Sequence, residues 1–193
     1  LTTGNSNALY GNAAGDALTT GFSNSAFGDN ALGAMNTGDY SVAVGDSALL
    51  KLTGDNSFNT AVGYEAGYEL LSGASNTLVG HDAGYGGTAA SFSNVVAIGD
   101  EAGKSLTTAN DVVAIGRRAF NSINTQASGV AVGFEAGRYA YGINNTYLGF
   151  KSGLGSNTAT NNTATNNVGV GFESLKAVTT GGTNVAIGTL AGS

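Results

Sequence analysis

The chain has 193 residues, 32 of them Gly, only 10% charged, with a formal net charge of -6 and no Pro, Cys or Trp. An interior Gly costs a helix about 1 kcal/mol relative to Ala, which argues against a helical bundle, and a hydrophobic content of 41% argues against simple disorder. Seven Lys plus Arg leave no basic face for nucleic acid, no apolar run reaches the roughly 18 residues of a membrane span, and the lack of Cys removes disulfides and thiolate metal sites.

One phrase recurs from end to end. Asn59 to Gly67 reads NTAVGYEAG and Asn184 to Gly192 reads NVAIGTLAG. Aligned on the glycine of that phrase, eleven copies are centred on Gly11, Gly28, Gly45, Gly63, Gly80, Gly99, Gly116, Gly133, Gly149, Gly171 and Gly188. Of the ten spacings between them, only one departs from 17 by more than two residues, the 22-residue step from Gly149 to Gly171. Self-similarity at a short fixed period marks a repeat architecture.

In chain order, a short strand is predicted to end just before each glycine, at Tyr10, Phe27, Val44, Val62, Val79, Ile98, Ile115, Val132, Leu148, Val170 and Ile187. Three residues before the glycine, Val occurs six times and Thr three, and between these positions Ala occurs seven times. Val, Ile and Thr at period two suit a pleated strand. Three residues after each glycine the chain has only Ala or Ser, a position where two backbones come too close for a longer side chain. Turn chemistry closes the units, as in LTTG (Leu18 to Gly21), MNTG (Met35 to Gly38), KLTG (Lys51 to Gly54) and TTGGTN (Thr179 to Asn184). Each coil is expected to hold one strand, a tight corner, a second short strand and a turn. Stacked about 4.8 Å apart, eleven such coils span about 50 Å.

A coil this short has little interior, and both faces of its strand are apolar. If the interior takes the Ala face, Val and Ile form a stripe down the outside that other subunits must cover. The opposite arrangement, Val and Ile inside with a flat Ala ladder outside, gives a monomer. The first is the expectation, with three chains about one axis.

The phrases SVAVGDSAL (Ser41 to Leu49), VVAIGDEAG (Val95 to Gly103) and NTAVGYEAG resemble the repeats of trimeric autotransporter adhesin heads. They resemble still more closely the repeats of phage tail-fibre shafts and related bacterial fibre proteins. The resemblance runs over the whole chain, although the period of about 17 is longer than that usual in adhesin heads. It implies an all-β, left-handed parallel β-roll, wound as a trimer and carried outside the cell or on a virion as a rigid spacer or adhesive surface.

The corner after the glycine carries the remaining chemistry. His81 is the sole histidine and is read as a solvent-facing corner residue, since one His without Cys cannot build a zinc site. Asp29, Asp46, Glu65, Asp82, Asp100, Glu101, Glu135 and Glu173 are read as a solvated acidic rim, interrupted by Arg117, Arg118 and Lys151. Tyr64, Phe134, Phe150 and Phe172 recur at the same corner as candidate glycan contacts, with Tyr68, Tyr85, Tyr139 and Tyr141 on the return segment. The long spacing contains a duplicated pentapeptide, Thr158 to Asn162 and Thr163 to Asn167, so 155–167 is expected as a surface loop insertion. Two glycosylation patterns occur, Asn144-Asn145-Thr146 and Asn161-Asn162-Thr163, in a chain rich in Asn and Thr.

These features predict one repeat domain, 1–193, opening inside a repeat and so read as a segment of a longer fibre. The expected role is non-enzymatic: an extracellular, cell-surface or virion fibre, self-associating, with host-surface glycans as candidate ligands. No catalytic residue, metal site or cofactor, and no nucleic-acid partner or membrane span, is expected. Two rival readings are an ice-binding solenoid, weakened because Val42 and Val96 flank Thr60 and Thr77, and a polysaccharide-cleaving β-helix enzyme relying on Asp82 or Asp100.

Overall fold

In a computed structural model, which describes residues 4–125, 128–157 and 162–193, the chain winds into a parallel β-solenoid of about ten turns. Three-residue strands repeat once per coil: β1 (Ala8–Tyr10), β2 (Ser25–Phe27), β3 (Val42–Val44), β4 (Thr60–Val62), β6 (Thr77–Val79), β8 (Val96–Ile98), β9 (Val113–Ile115), β10 (Val130–Val132), β11 (Thr146–Leu148), β12 (Val168–Val170) and β13 (Val185–Ile187). They form one 11-stranded parallel sheet in which each strand pairs with its own copy in the next coil, with no shift of register: Val42 faces Thr60, Ala43 faces Ala61 and Val44 faces Val62.

The expected second strand appears in only two coils among the described residues, as β5 (Leu70–Ser72) paired with β7 (Ala90–Ser91). Elsewhere the return path is a run of turns. With or without a second strand, the corner after the glycine enters the left-handed region, at Glu65 (φ 52°) and Gly67 (φ 68°) in the coil of β5 and at Glu135 (φ 52°) and Gly137 (φ 59°) in another. Extended pairing cannot run through such residues, yet the backbone groups still bond coil to coil: Glu135 N donates to Arg117 O at 3.0 Å and Gly137 N to Ser152 O at 2.9 Å.

The Ala face of the strand lies inside. Ala43, Ala61, Ala97, Ala114 and Ala131 are wholly buried, whereas Val44, Val62 and Ile98 on the other face are each 37% exposed. The small residue three places after the glycine is buried opposite, as at Ala48, Ala66, Ala102 and Ser152. Larger side chains then fill what these leave. Where the middle of a strand is large, the residue six places on is Gly, as in Leu78 with Gly84 and Tyr147 with Gly153; where it is Ala or Gly, Leu or Phe can stand there, as in Ala43 with Leu49, Ala114 with Phe120 and Gly169 with Leu175. A Cβ on Gly67 would lie 2.7 Å from Leu49 Cδ2 and 2.8 Å from Leu78 Cδ1, so that space belongs to the leucines of the two adjoining coils. Large and small positions of neighbouring coils therefore complement one another, as a close-packed interior requires.

A second internal column was not read from the sequence. Asn occupies the fourth place before the glycine in seven copies, and Asn24, Asn59, Asn76, Asn145 and Asn167 are buried there. Asn76 is held from both sides: its Nδ2 donates to Asn59 Oδ1 at 2.9 Å and to Phe92 O at 3.0 Å, while its Oδ1 accepts the N–H of Val95 at 3.0 Å. The same links join Asn145, Asn167 and Asn184. Such a column satisfies backbone groups at the entry to each strand that a thin interior could not otherwise reach.

Within the insertion expected at 155–167, Thr158 to Asn161 lie outside the described residues, as do Leu1 to Thr3 at the start of the sequence. Asn162 is buried and returns to the start of the insertion: its Oδ1 accepts the N–H of Ser156 at 2.9 Å and its Nδ2 donates to Ser156 O.

Candidate functional site

Two surfaces run the length of the solenoid, and the repeat itself places both. The outward face of the 11-stranded sheet carries two columns per strand. One comprises Tyr10, Phe27, Val44, Val62, Val79, Ile98, Ile115, Val132, Leu148, Val170 and Ile187; the other runs through Val42, Thr60, Thr77, Val96, Val113 and Val130. The members of the second column from Ser25 to Val168 are half-buried, and those of the first are half-buried to exposed. No charged residue interrupts either column. Their regularity depends on the glycine that follows each strand. At Gly133 (φ +134°) an added Cβ would lie 2.5 Å from Gly149 O, so the glycine column is where adjoining coils touch backbone to backbone.

The second surface is the corner one residue beyond those glycines, where the sequence singled out Tyr64, Phe134, Phe150 and Phe172. The structure stacks three of them. Phe134 and Phe150 have centroids 5.2 Å apart at 16°, and Phe150 and Phe172 5.1 Å apart at 3°, close to the spacing of the coils themselves. Tyr64 lies away from this trio, stacked on His81 at 5.7 Å. Charged residues join the two groups: His81 Nδ1 is 2.8 Å from Asp100 Oδ1, Asp100 Oδ2 is 3.5 Å from Arg117 Nε, and the Arg117 guanidinium sits 5.4 Å from the Phe134 ring centroid. One unbroken file of side chains therefore runs from Tyr64 to Phe172. Its rings pack face to face. Phe150 has a ring on each side, and Phe134 has Phe150 on one side and Arg117 on the other.

The carboxylates divide into two columns instead of forming one rim. Asp29, Asp46 and Asp100 share the corner position with His81, while Glu65, Asp82, Glu101, Glu135 and Glu173 stand one residue further on. Within the second column Asp82, Glu101 and Glu135 are drawn into ion pairs, and Asp82 and Glu135 are buried: Lys104 Nζ is 2.7 Å from Asp82 Oδ2 and 3.0 Å from Glu101 Oε1, Arg118 Nε is 2.6 Å from Glu101 Oε2, and Arg138 is 2.6 Å from Glu135. Asp82, expected at a solvated rim, is only 6% exposed, and its Oδ1 has no hydrogen-bond donor, with His81 Nε2 3.7 Å away.

These contacts set the local titration. Arg118 first and Lys104 second hold the Glu101 carboxyl down at about 2. The Asp82 carboxylate chiefly, with Glu101, raises the Lys104 ammonium above its ordinary value. Asp100 beside it raises the His81 imidazole, against a smaller lowering by desolvation. Inside the solenoid, burial pushes the Tyr147 hydroxyl up to about 12. Among the described residues no group of three or more His, Asp or Glu side chains is placed to hold a metal ion, and no helix is long and apolar enough to cross a membrane.

The architecture defines the chain as a parallel β-solenoid repeat protein. No protein-family model, curated protein sequence or solved structure matches it.

Proposed function

We propose that the chain is a non-enzymatic, extracellular structural fibre segment. In this reading it is a left-handed β-roll of eleven coils, three chains wound about one axis, borne on a cell surface or virion as a rigid spacer that also presents an adhesive surface. The observation that carries the reading is the outward strand face, mainly apolar and free of charge from Tyr10 to Ile187. Eleven strands spaced about 4.8 Å apart make the face about 50 Å long, and from the turn before each strand to the corner after it the width is about 20 Å. That gives on the order of 1,000 Å² per chain, comparable with the roughly 800 Å² each partner contributes to a standard stable interface. Its apolar central stripe alone is on the order of 500 Å², near the upper end of what monomers leave exposed. A spacer needs stiffness, and the uninterrupted ladder of bonds along the axis supplies it.

Sedimentation equilibrium tests the assembly. The expected mass is three times the 19.0 kDa of the chain, and a monomer at all concentrations overturns the trimeric fibre. A second reading takes the same face uncovered: a flat, regular array in which Thr60, Thr77 and Thr146 share one outward column would suit an ice-binding surface. A monomer that also produces thermal hysteresis would establish that reading in place of the first.

A further inference from the structure

The turn entering each strand and the corner leaving it border the apolar face on its two sides. Rotating one solenoid onto another about an axis parallel to its own keeps the coils level and brings the entry edge of one chain against the exit edge of the next. The two edges are complementary at particular levels. Of the eleven residues five places before the glycines, Asp111 alone is charged; of the eleven that directly follow the glycines, Arg117 alone is a Lys or Arg. They belong to the same coil. Both are exposed, and the strand Val113–Ile115 stands between them, which separates them by up to about 20 Å within one chain. Three coils earlier the pair is Phe58 and Tyr64, 60% and 50% exposed, and one coil before that Tyr40 shares its level with Asp46, a phenol with a carboxylate. Asp39, beside Tyr40, is half-buried with its Oδ1 accepting the N–H of Phe22 at 2.8 Å, whereas Asp111, whose Oδ1 accepts from Asn94 Nδ2 at 3.0 Å, stays exposed.

Resting on the proposed parallel assembly, we infer that the entry edge of each chain docks on the exit edge of a second copy, level with it, and that Asp111 of one chain pairs with Arg117 of the next. The match fixes register: a slip of one coil sets Asp111 against Asp100 or Phe134 in place of Arg117. Opposite charges at one level and none at its neighbours steer the chains into a single alignment more than they add affinity.

The chain has no native cysteine, so D111C/R117C in the full chain makes a clean probe. Mild oxidation is expected to give disulfide-linked multimers on non-reducing gels, with none from D111C or R117C alone and none from Ser75→Cys combined with R117C, two coils out of level. Charge reversal is the second measurement: D111R is expected to weaken association about tenfold, and D111R/R117D to restore it. Wild-type chains that sediment as monomers overturn both the assembly and the pairing. Trimers in which D111C/R117C does not cross-link, or in which the double reversal fails to rescue D111R, overturn the pairing alone.

Discussion

Replacing Gly133 with Ala tests the contact on which the solenoid depends. The glycine sits at φ +134°, a region that L residues rarely adopt, and strain there costs about 1–3 kcal/mol. The new Cβ also falls 2.5 Å from Gly149 O and 2.7 Å from Gly149 C, so the two coils must separate. Parting them stretches the flanking bonds from Gly149 N to Val132 O and from Lys151 N to Phe134 O, both 2.8 Å, each worth about 1 kcal/mol. The total is about 3–5 kcal/mol, or roughly a 10–15 °C fall in melting temperature for a chain of this length. Gly181→Ala is the control, since Gly181 also has positive φ (+85°) but an added Cβ meets nothing within 4 Å; its cost is about 1 kcal/mol. Thermal melts by circular dichroism give the comparison. Hydrogen exchange then checks that the loss of protection centres on residues 130–150, because repeat proteins can open locally. Two variants melting within a few degrees of each other would refute close backbone stacking as the function of the glycine column.

Gly153→Ala should destabilise because its Cβ runs into the Tyr147 ring, and Tyr147→Ala should destabilise by opening a cavity of about 3–5 kcal/mol; together they should cost clearly less than their sum, a coupling read from denaturant melts. Glu101 contributes stability that is complete above its unfolded pKa near 4.5 and disappears as pH falls toward its folded value of about 2. Acid melts should therefore show a smaller loss across that window in Glu101→Gln than in the wild type. Tyr147 has the opposite sign: its raised hydroxyl leaves stability intact below pH 10 and removes it between 10 and about 12, so an ultraviolet phenolate titration should show one tyrosine ionising after the exposed ones, and Tyr147→Phe should abolish that late step.

Much of the architecture was legible in the sequence because a solenoid's contacts are between copies of the same position. A small residue at Ala48, Ala66 and Ala102, a glycine at Gly45, Gly63 and Gly99 and a β-branched pair around Ala43 or Ala97 each speak for a whole column. The Asn column was equally visible, at Asn24, Asn59 and Asn76, but its meaning was not. An Asn before a strand reads as turn chemistry until the chain is coiled, and only then does its amide face the backbone of the coils above and below.

The sequence by itself determined the period, the strands and their level stacking, because a residue type repeated every 17 places can satisfy its surroundings only by meeting itself. Which strand face turns inward was an expectation from the thin interior, and tertiary structure decided it, since both faces of Val-Ala-Val are apolar and the coil encloses enough volume for Ala43 beside Leu49 but too little for a row of Val and Ile. It also decided the neighbours at the corner. Arg117, Phe134 and Phe150 lie 16 and 17 residues apart in the chain, and only the 5 Å rise of the coil brings a cation and two rings into one stack.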